Sequence, residues 1–173
     1  MTFSIGNKVV YPSQGPCLIG SVVKKVIGGE LGSYYRLVSL DETGDAVFIP
    51  LNKIGGVGIR QLMTKSEIHT LLRRLMHPSE SITNWKQRAY VNLKRLSTGS
   101  PYDLAEVIES LTELNERRPL APRERQTLEK ARRILICEIS EVTGDSKSVT
   151  EEQVDHAVRS GIHSARLPKL KTP

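Results

Sequence analysis

The sequence predicts an α+β chain of two modules, a small N-terminal β-barrel followed by an all-α domain of about five helices, and three observations point that way. Short β-branched runs separated by glycine fill residues 5–59, the grammar of strands joined by tight turns. Beyond Leu62 the apolar period lengthens to that of helices, with capping and stop signals between the stripes. A length of 173 residues suits this division, because domains commonly hold roughly 50 to 200 residues and two small cores fit.

The strands are expected over 8–11, 17–27, 33–40 and 45–49, with a short last one near 57–59. Turn formers separate them: Pro12-Ser13-Gln14-Gly15, Gly28-Gly29-Glu30-Leu31-Gly32 and Asp41-Glu42-Thr43-Gly44. Five strands in so short a stretch are too few for two good sheets and enough for a strongly bent barrel of the SH3-like or Tudor-like kind. Gly55-Gly56-Val57-Gly58 lacks the lysine and hydroxyl of a phosphate-binding loop, and reads as the hinge leaving the barrel.

Thr64-Lys65-Ser66-Glu67 is a capping box opening a helix whose stripe is Ile68, Leu71, Leu72, Leu75 and Met76, with His77-Pro78 as its stop. A second helix is expected over 84–97 with Ala89, Leu93 and Leu96 inward and Gly99 as stop. Ser100-Pro101 opens a third that buries Leu104, Val107, Ile108 and Leu111. The fourth and longest begins at Pro122, keeps a stripe of Leu128, Ala131, Leu135, Ile139 and Val142, and breaks at Thr143-Gly144. Thr150-Glu151-Glu152-Gln153 caps a short fifth helix ending near Gly161. The domains are therefore 1–60, a Tudor-like barrel; 61–160, the helical domain; and 161–173, a basic tail expected to be disordered.

A net charge of +6 favours an anionic partner, nucleic acid or an acidic protein face, over a neutral small molecule. Two cysteines far apart in sequence imply no disulfide framework and suit a reducing cytoplasm. No signal peptide and no run of ~20 apolar residues argues for secretion or a membrane span. The four histidines show no ligand spacing and no Cys-x-x-Cys occurs, so neither a metal nor a cofactor is expected. Converging catalytic groups are missing as well, and the chain does not read as an enzyme.

The only tryptophan, Trp85, stands at the start of the second helix among Arg73, Arg74, Lys86, Arg88, Lys94 and Arg95, with Glu80 the one acid between Arg73 and Arg95. A lone tryptophan is ordinarily core, because its large apolar surface favours burial. This one follows two helix-capping residue types and sits among groups suited to phosphate, which recommends it as a wedge for DNA. A second basic set, Arg117, Arg118, Arg123, Arg125, Lys130, Arg132 and Arg133, surrounds the loop before the fourth helix, some of it the wet face of that helix paired with Glu124 and Glu129.

Taken in order, Ile5-Gly6-Asn7-Lys8-Val9-Val10-Tyr11-Pro12 with Gly15, the Val57-Gly58-Ile59-Arg60 link, Asn84-Trp85 with Arg88, Asn92-Leu93, Leu96 and Gly99, and Glu129-Lys130-Ala131-Arg132-Arg133-Ile134-Leu135 resemble the CarD/CdnL family of bacterial RNA polymerase-binding transcription regulators. The resemblance runs to about Val142. It implies a barrel that docks on the polymerase β subunit and a helical domain that contacts promoter DNA at the upstream edge of the transcription bubble. The tryptophan matching Trp85 would wedge into the minor groove there and stabilise the open complex. Lys25 falls where the family places a basic polymerase contact, and Phe48 stands where an arginine is common. Arg88 and Arg125 match basic DNA-contacting positions, Lys86 joins them by proximity, and Tyr90 occupies a position often basic. The protein is expected to be cytoplasmic and nucleoid-associated, and a monomer when free. The rival reading is a free-standing nucleoid or architectural DNA-binding protein.

Overall fold

The computed structural model describes residues 3–77 and 84–166, except for the side chains of Trp85 and Arg166. Its N-terminal part holds strands β1 (Lys8–Tyr11), β2 (Gly15–Ile27), β3 (Glu30–Ser39), β4 (Ala46–Pro50) and β5 (Arg60–Gln61), all antiparallel, in the spatial order β4-β3-β2-β1-β5. A 3-10 turn over Leu51–Gly56 carries the chain from one edge of the sheet round to the other, the layout of an SH3-like, Tudor-like barrel. Strands β2 and β3 run further than the sequence suggests. Gly28 and Gly29 both take positive φ, 64° and 85°, so a two-residue turn whose twist matches the strands replaces the expected five-residue loop, and Ile27 pairs with Glu30. The register of β2 against β3 shifts between Ile19 and Val22. Before that bulge β2 buries Cys17 and Ile19 with Val9, Leu37 and Ile49; beyond it Val22 and Val26 are exposed. The last strand is displaced too. Gly58 turns at φ 75°, so residues 57–59 do not pair and Arg60 and Gln61 align with Val10 and Val9.

The helices are α1 (Lys65–Leu75), α2 (Trp85–Thr98), α3 (Pro101–Arg117), α4 (Pro122–Thr143) and α5 (Lys147–Arg166). The capping box opens α1 as expected: the Glu67 amide donates to Thr64 Oγ1 at 3.2 Å, and the Thr64 amide to Glu67 Oε2 at 2.6 Å. Helix α5 departs from expectation at both ends. Its first turn is held by Ser146, whose Oγ accepts from the Val149 amide at 3.2 Å, so Thr150 is a buried member of the helix and no cap. At the other end the helix continues through Gly161 to Arg166 because Ile162 is buried in the shared core, so residues 161–166 are helical where a disordered tail was expected. Residues 167–173 of that expected tail lie outside the described residues, as does Pro78. The helical core joins Leu71, Leu75, Leu104, Ile108, Leu135 and Ile139, each fully buried, and burying such a side chain stabilises by about 1.5–3 kcal/mol.

Helix α4 is buried on more than the predicted stripe, because it lies between the other helices and the barrel: Ile134, Cys137 and Glu138 are buried as well as Ala131, Leu135 and Ile139. On the barrel side Arg60 joins three elements. Its Nε donates to the Gly99 carbonyl at 2.8 Å, and Nη1 and Nη2 donate to Glu138 Oε1 and Oε2 at 2.6 Å and 2.8 Å. The Met63 amide donates to Glu138 Oε1 at 2.9 Å, so this fully buried carboxylate is satisfied from both modules. Backbone closeness needs glycine here. A Cβ on Gly15 would stand 3.3 Å from Ile134, and one on Gly99 3.2 Å from Pro12 Cα. Around this buried pair run Lys8–Glu141 at 2.7 Å and Arg133–Asp41 at 3.6 Å. Both cysteines are buried and unpaired, and burial pushes each thiol up to about 11.

Candidate nucleic-acid interface

Helix α2 begins at a built cap. Asn84 is extended, and its Oδ1 accepts from the Lys86 and Gln87 amides at 3.0 Å and 3.3 Å, fixing the first turn that carries Trp85. The side chain of Trp85 lies outside what the structure describes. Lys86 beside it is exposed. The helix stops at Gly99, in the left-handed region at φ 72° and pinned by Arg60. Both ends of the candidate wedge helix are thus fixed, one by its own side chain and the other by the barrel.

The face that α2 buries is not the one its apolar residues suggest. Ala89 is exposed and Leu93 is 60 % exposed, whereas Arg88 and Asn92 are buried with Leu96. Arg88 Nη2 approaches Glu124 Oε1 at 4.0 Å, so the buried face of this helix carries an ion contact to α4 beside Leu96. Arg88, assigned to DNA by the sequence, therefore has little surface to offer a phosphate. Glu124 also takes two bonds from Arg118, at 2.9 Å and 3.0 Å, and one from the Ala121 amide at 2.9 Å. The Arg118 bonds hold its carboxyl below the usual carboxylate range.

Two arginines near Trp85 in sequence are neutralised in space. Arg74 bonds Glu106 at 2.9 Å and lies 3.5 Å from Glu109, and Arg95 pairs with Glu106 from the other side. Helix α3 thus brings acids into a field whose one acid along the chain is Glu80. Burial pushes the Glu109 carboxyl up to about 7 against the pull of Arg74. In the second basic set Arg117, Arg118, Arg132 and Arg133 are likewise paired, with Glu113, Glu124, Glu151 and Asp155, and Asp41. Glu129, expected as a partner, makes none of these pairs. Arg123 and Arg125, in the first turn of α4, are exposed and have no ion-pair partner among the described residues.

On the barrel the two residues the sequence assigned to polymerase come together. Lys25 Nζ lies 3.9 Å from the centroid of the Phe48 ring, the cation over the aromatic face. Lys25 is exposed on β2 and Phe48 half-buried on β4, the strand at one edge of the sheet. Arg36 is exposed on β3 directly opposite Phe48. Phe48 thus stacks under a cation that its own sheet supplies.

Sequence reasoning missed Arg60 as a joint, Glu138 as its buried partner and Asn92 as an inward polar residue. The signal at Glu138 was an acid flanked by Cys137 and Ile139 inside an otherwise apolar stretch. At Asn92 it was a polar residue four positions before Leu96.

Comparison with known proteins places both modules. Residues 67–157 match the family model for the CarD C-terminal domain, and residues 3–63 match that of the CarD-like/TRCF RID domain. YdeB of Bacillus subtilis (strain 168), named as a candidate transcription factor, is 28% identical over 153 residues, spanning 88% of this chain and 97% of its own. The solution structure of the 72-residue N-terminal domain of Myxococcus xanthus CarD is 28% identical, covers 35% of this chain and 79% of its own, and gives a TM-score of 0.28. Among the described residues no helix is long and apolar enough to cross a membrane.

Proposed function

The chain belongs to the CarD family of transcription regulators, and from that premise we propose that it docks on the β subunit of RNA polymerase through its barrel and stabilises the promoter open complex with Trp85. The observation that carries the reading is the double anchorage of α2. Asn84 fixes the turn bearing Trp85, and Arg60 ties the far end of the same helix to the barrel. A barrel bound to polymerase then sets where that helix meets DNA.

Docking uses the β4 edge, whose unpaired main chain can accept a strand of the partner, with Lys25 and Phe48 as the side-chain contact. On the DNA side Lys86 and Arg125, both exposed, neutralise phosphates, while Arg88 holds α2 against α4 and acts through position. Trp85 enters the minor groove at the boundary of duplex and single strand. Unstacking there costs a few kcal/mol in closed DNA and far less where the strands have already parted. The protein therefore binds the opened promoter better than the closed one and shifts the equilibrium by that difference in affinity alone, with no catalytic step. It acts in the cytoplasm, on the nucleoid, as a monomer until it meets polymerase.

The test is the lifetime of open complexes after challenge with a competitor. Trp85→Ala is expected to leave the helical content and polymerase binding unchanged. If the wedge contributes about 2 kcal/mol, its loss removes roughly thirtyfold of the stabilisation. Full stabilisation by the variant would refute the wedge, and an unfolded helical domain would show that the indole is core.

A further inference from the structure

A groove of about 450 Å³ lies between α2 and the first half of α4, floored by Leu111 of α3. Leu93 and Leu96 line it from α2, and Arg123 and Lys130 from α4. Asn92 lines it too, and is only 2 % exposed, yet its Oδ1 has no hydrogen-bond partner among the described residues. An inward position on an amphipathic helix calls for leucine, and a buried carbonyl without a donor works against folding. An acceptor placed so answers to a donor that arrives from outside.

We propose that this groove is a binding site for one unstacked base of single-stranded DNA, with Asn92 Oδ1 accepting a hydrogen bond from the base edge and Arg123 and Lys130 taking the flanking phosphates. Three features select that ligand. All four bases are flat rings with apolar faces and an N–H donor on their pairing edge, which matches leucine walls around a single acceptor. The volume lies in the range of small-ligand sites, ~300–1,000 Å³, and leaves space for a sugar beside the base. The rim is cationic, since its one acid, Glu124, is already engaged by Arg118, so an anionic backbone is favoured over a neutral or acidic partner. Position agrees with chemistry. Asn92 follows Trp85 on the same helix by a rise of about 10.5 Å, roughly three stacked nucleotides, so a strand parted at Trp85 brings unpaired bases to the groove.

The inference rests on the DNA reading above, and the experiment separates the two. Full-length protein is titrated against a paired duplex, a fork of that duplex with a short single-stranded arm, and the same fork with an abasic arm that keeps every phosphate. The fork with bases is expected to bind about tenfold tighter than the abasic one. Asn92→Leu is expected to reduce that difference below about twofold while its unfolding temperature holds or rises, because the unpartnered carbonyl is gone. Leu93→Glu changes a side chain 60 % exposed, tolerable for folding, and places an anion at the mouth; it is expected to abolish the same difference. Equal binding to both arms by the native protein, or an undiminished difference in both variants, overturns the base site and leaves the DNA reading standing. If no fork binds better than duplex, both fail. Loss of polymerase binding with unchanged fork binding would make the groove a protein contact and overturn the proposal.

Discussion

Replacing Glu138 by glutamine removes one charge from a carboxylate that is fully buried and accepts from Arg60 twice and from the Met63 amide. The amide keeps the shape and one acceptor, but turns an N–H₂ toward a donor that it cannot satisfy. Breaking a buried ion pair by altering one partner costs about 3–5 kcal/mol. The Arg60 side chain is 27 % exposed and partly rehydrates, which brings the expected loss to the lower end, about 3 kcal/mol. For a chain of this length that corresponds to roughly 6–12 °C in Tm. Lys8→Ala is the control: its pair with Glu141 is 49 % exposed on the lysine side, so its removal is expected to cost under about 1 kcal/mol. Thermal and urea unfolding of both variants measures the contrast, and a double-mutant cycle of Arg60→Met with Glu138→Met isolates the pair. Equal, small losses in Glu138→Gln and Lys8→Ala would refute the view that this one buried contact joins barrel to helices. A loss confined to a second, separate transition would place it within one module instead.

Glu109, raised to about 7, stabilises the fold fully below its ordinary pKa and loses that contribution as pH rises through about 7, so Glu109→Gln is expected to flatten the decline in stability between about pH 5 and pH 8 and to be the more stable protein at the upper end. Arg74, Arg95 and Glu106 face this carboxyl, and parallel pH curves for variant and native protein would show that Glu109 is not the source of the decline. Gly99→Ala forces a side chain into the left-handed region and against Pro12, at a cost of about 1–3 kcal/mol, and a fall of roughly 3–10 °C in Tm checks it. An unchanged Tm would mean that Pro12 withdraws freely, and with it the close seam between the modules.

Features that depend on neighbours along the chain were legible before folding. Glycine punctuation placed the strands to within a few residues, and the caps at Thr64 and Ser100 and the stop at Gly144 follow from hydrogen bonds made within one turn. Basic residues flanking Trp85 and the ordered motifs were equally legible. Tertiary structure alone decided which charges face solvent and which helix face turns inward. Periodicity placed Ala89 and Leu93 in the core, yet α2 packs with Asn92 and Arg88 buried, Arg88 toward Glu124, and with Leu93 exposed. Arg74 and Arg95 look basic in the chain and are answered by Glu106 from another helix. Pro12, Gly15, Arg60 and Gly99 read as scattered motif residues until the fold gathers them, with Glu138, at one seam. Local rules carry no information about partners that arrive from 39 or 78 positions away, because only packing brings those groups within the few ångströms at which charge and shape act.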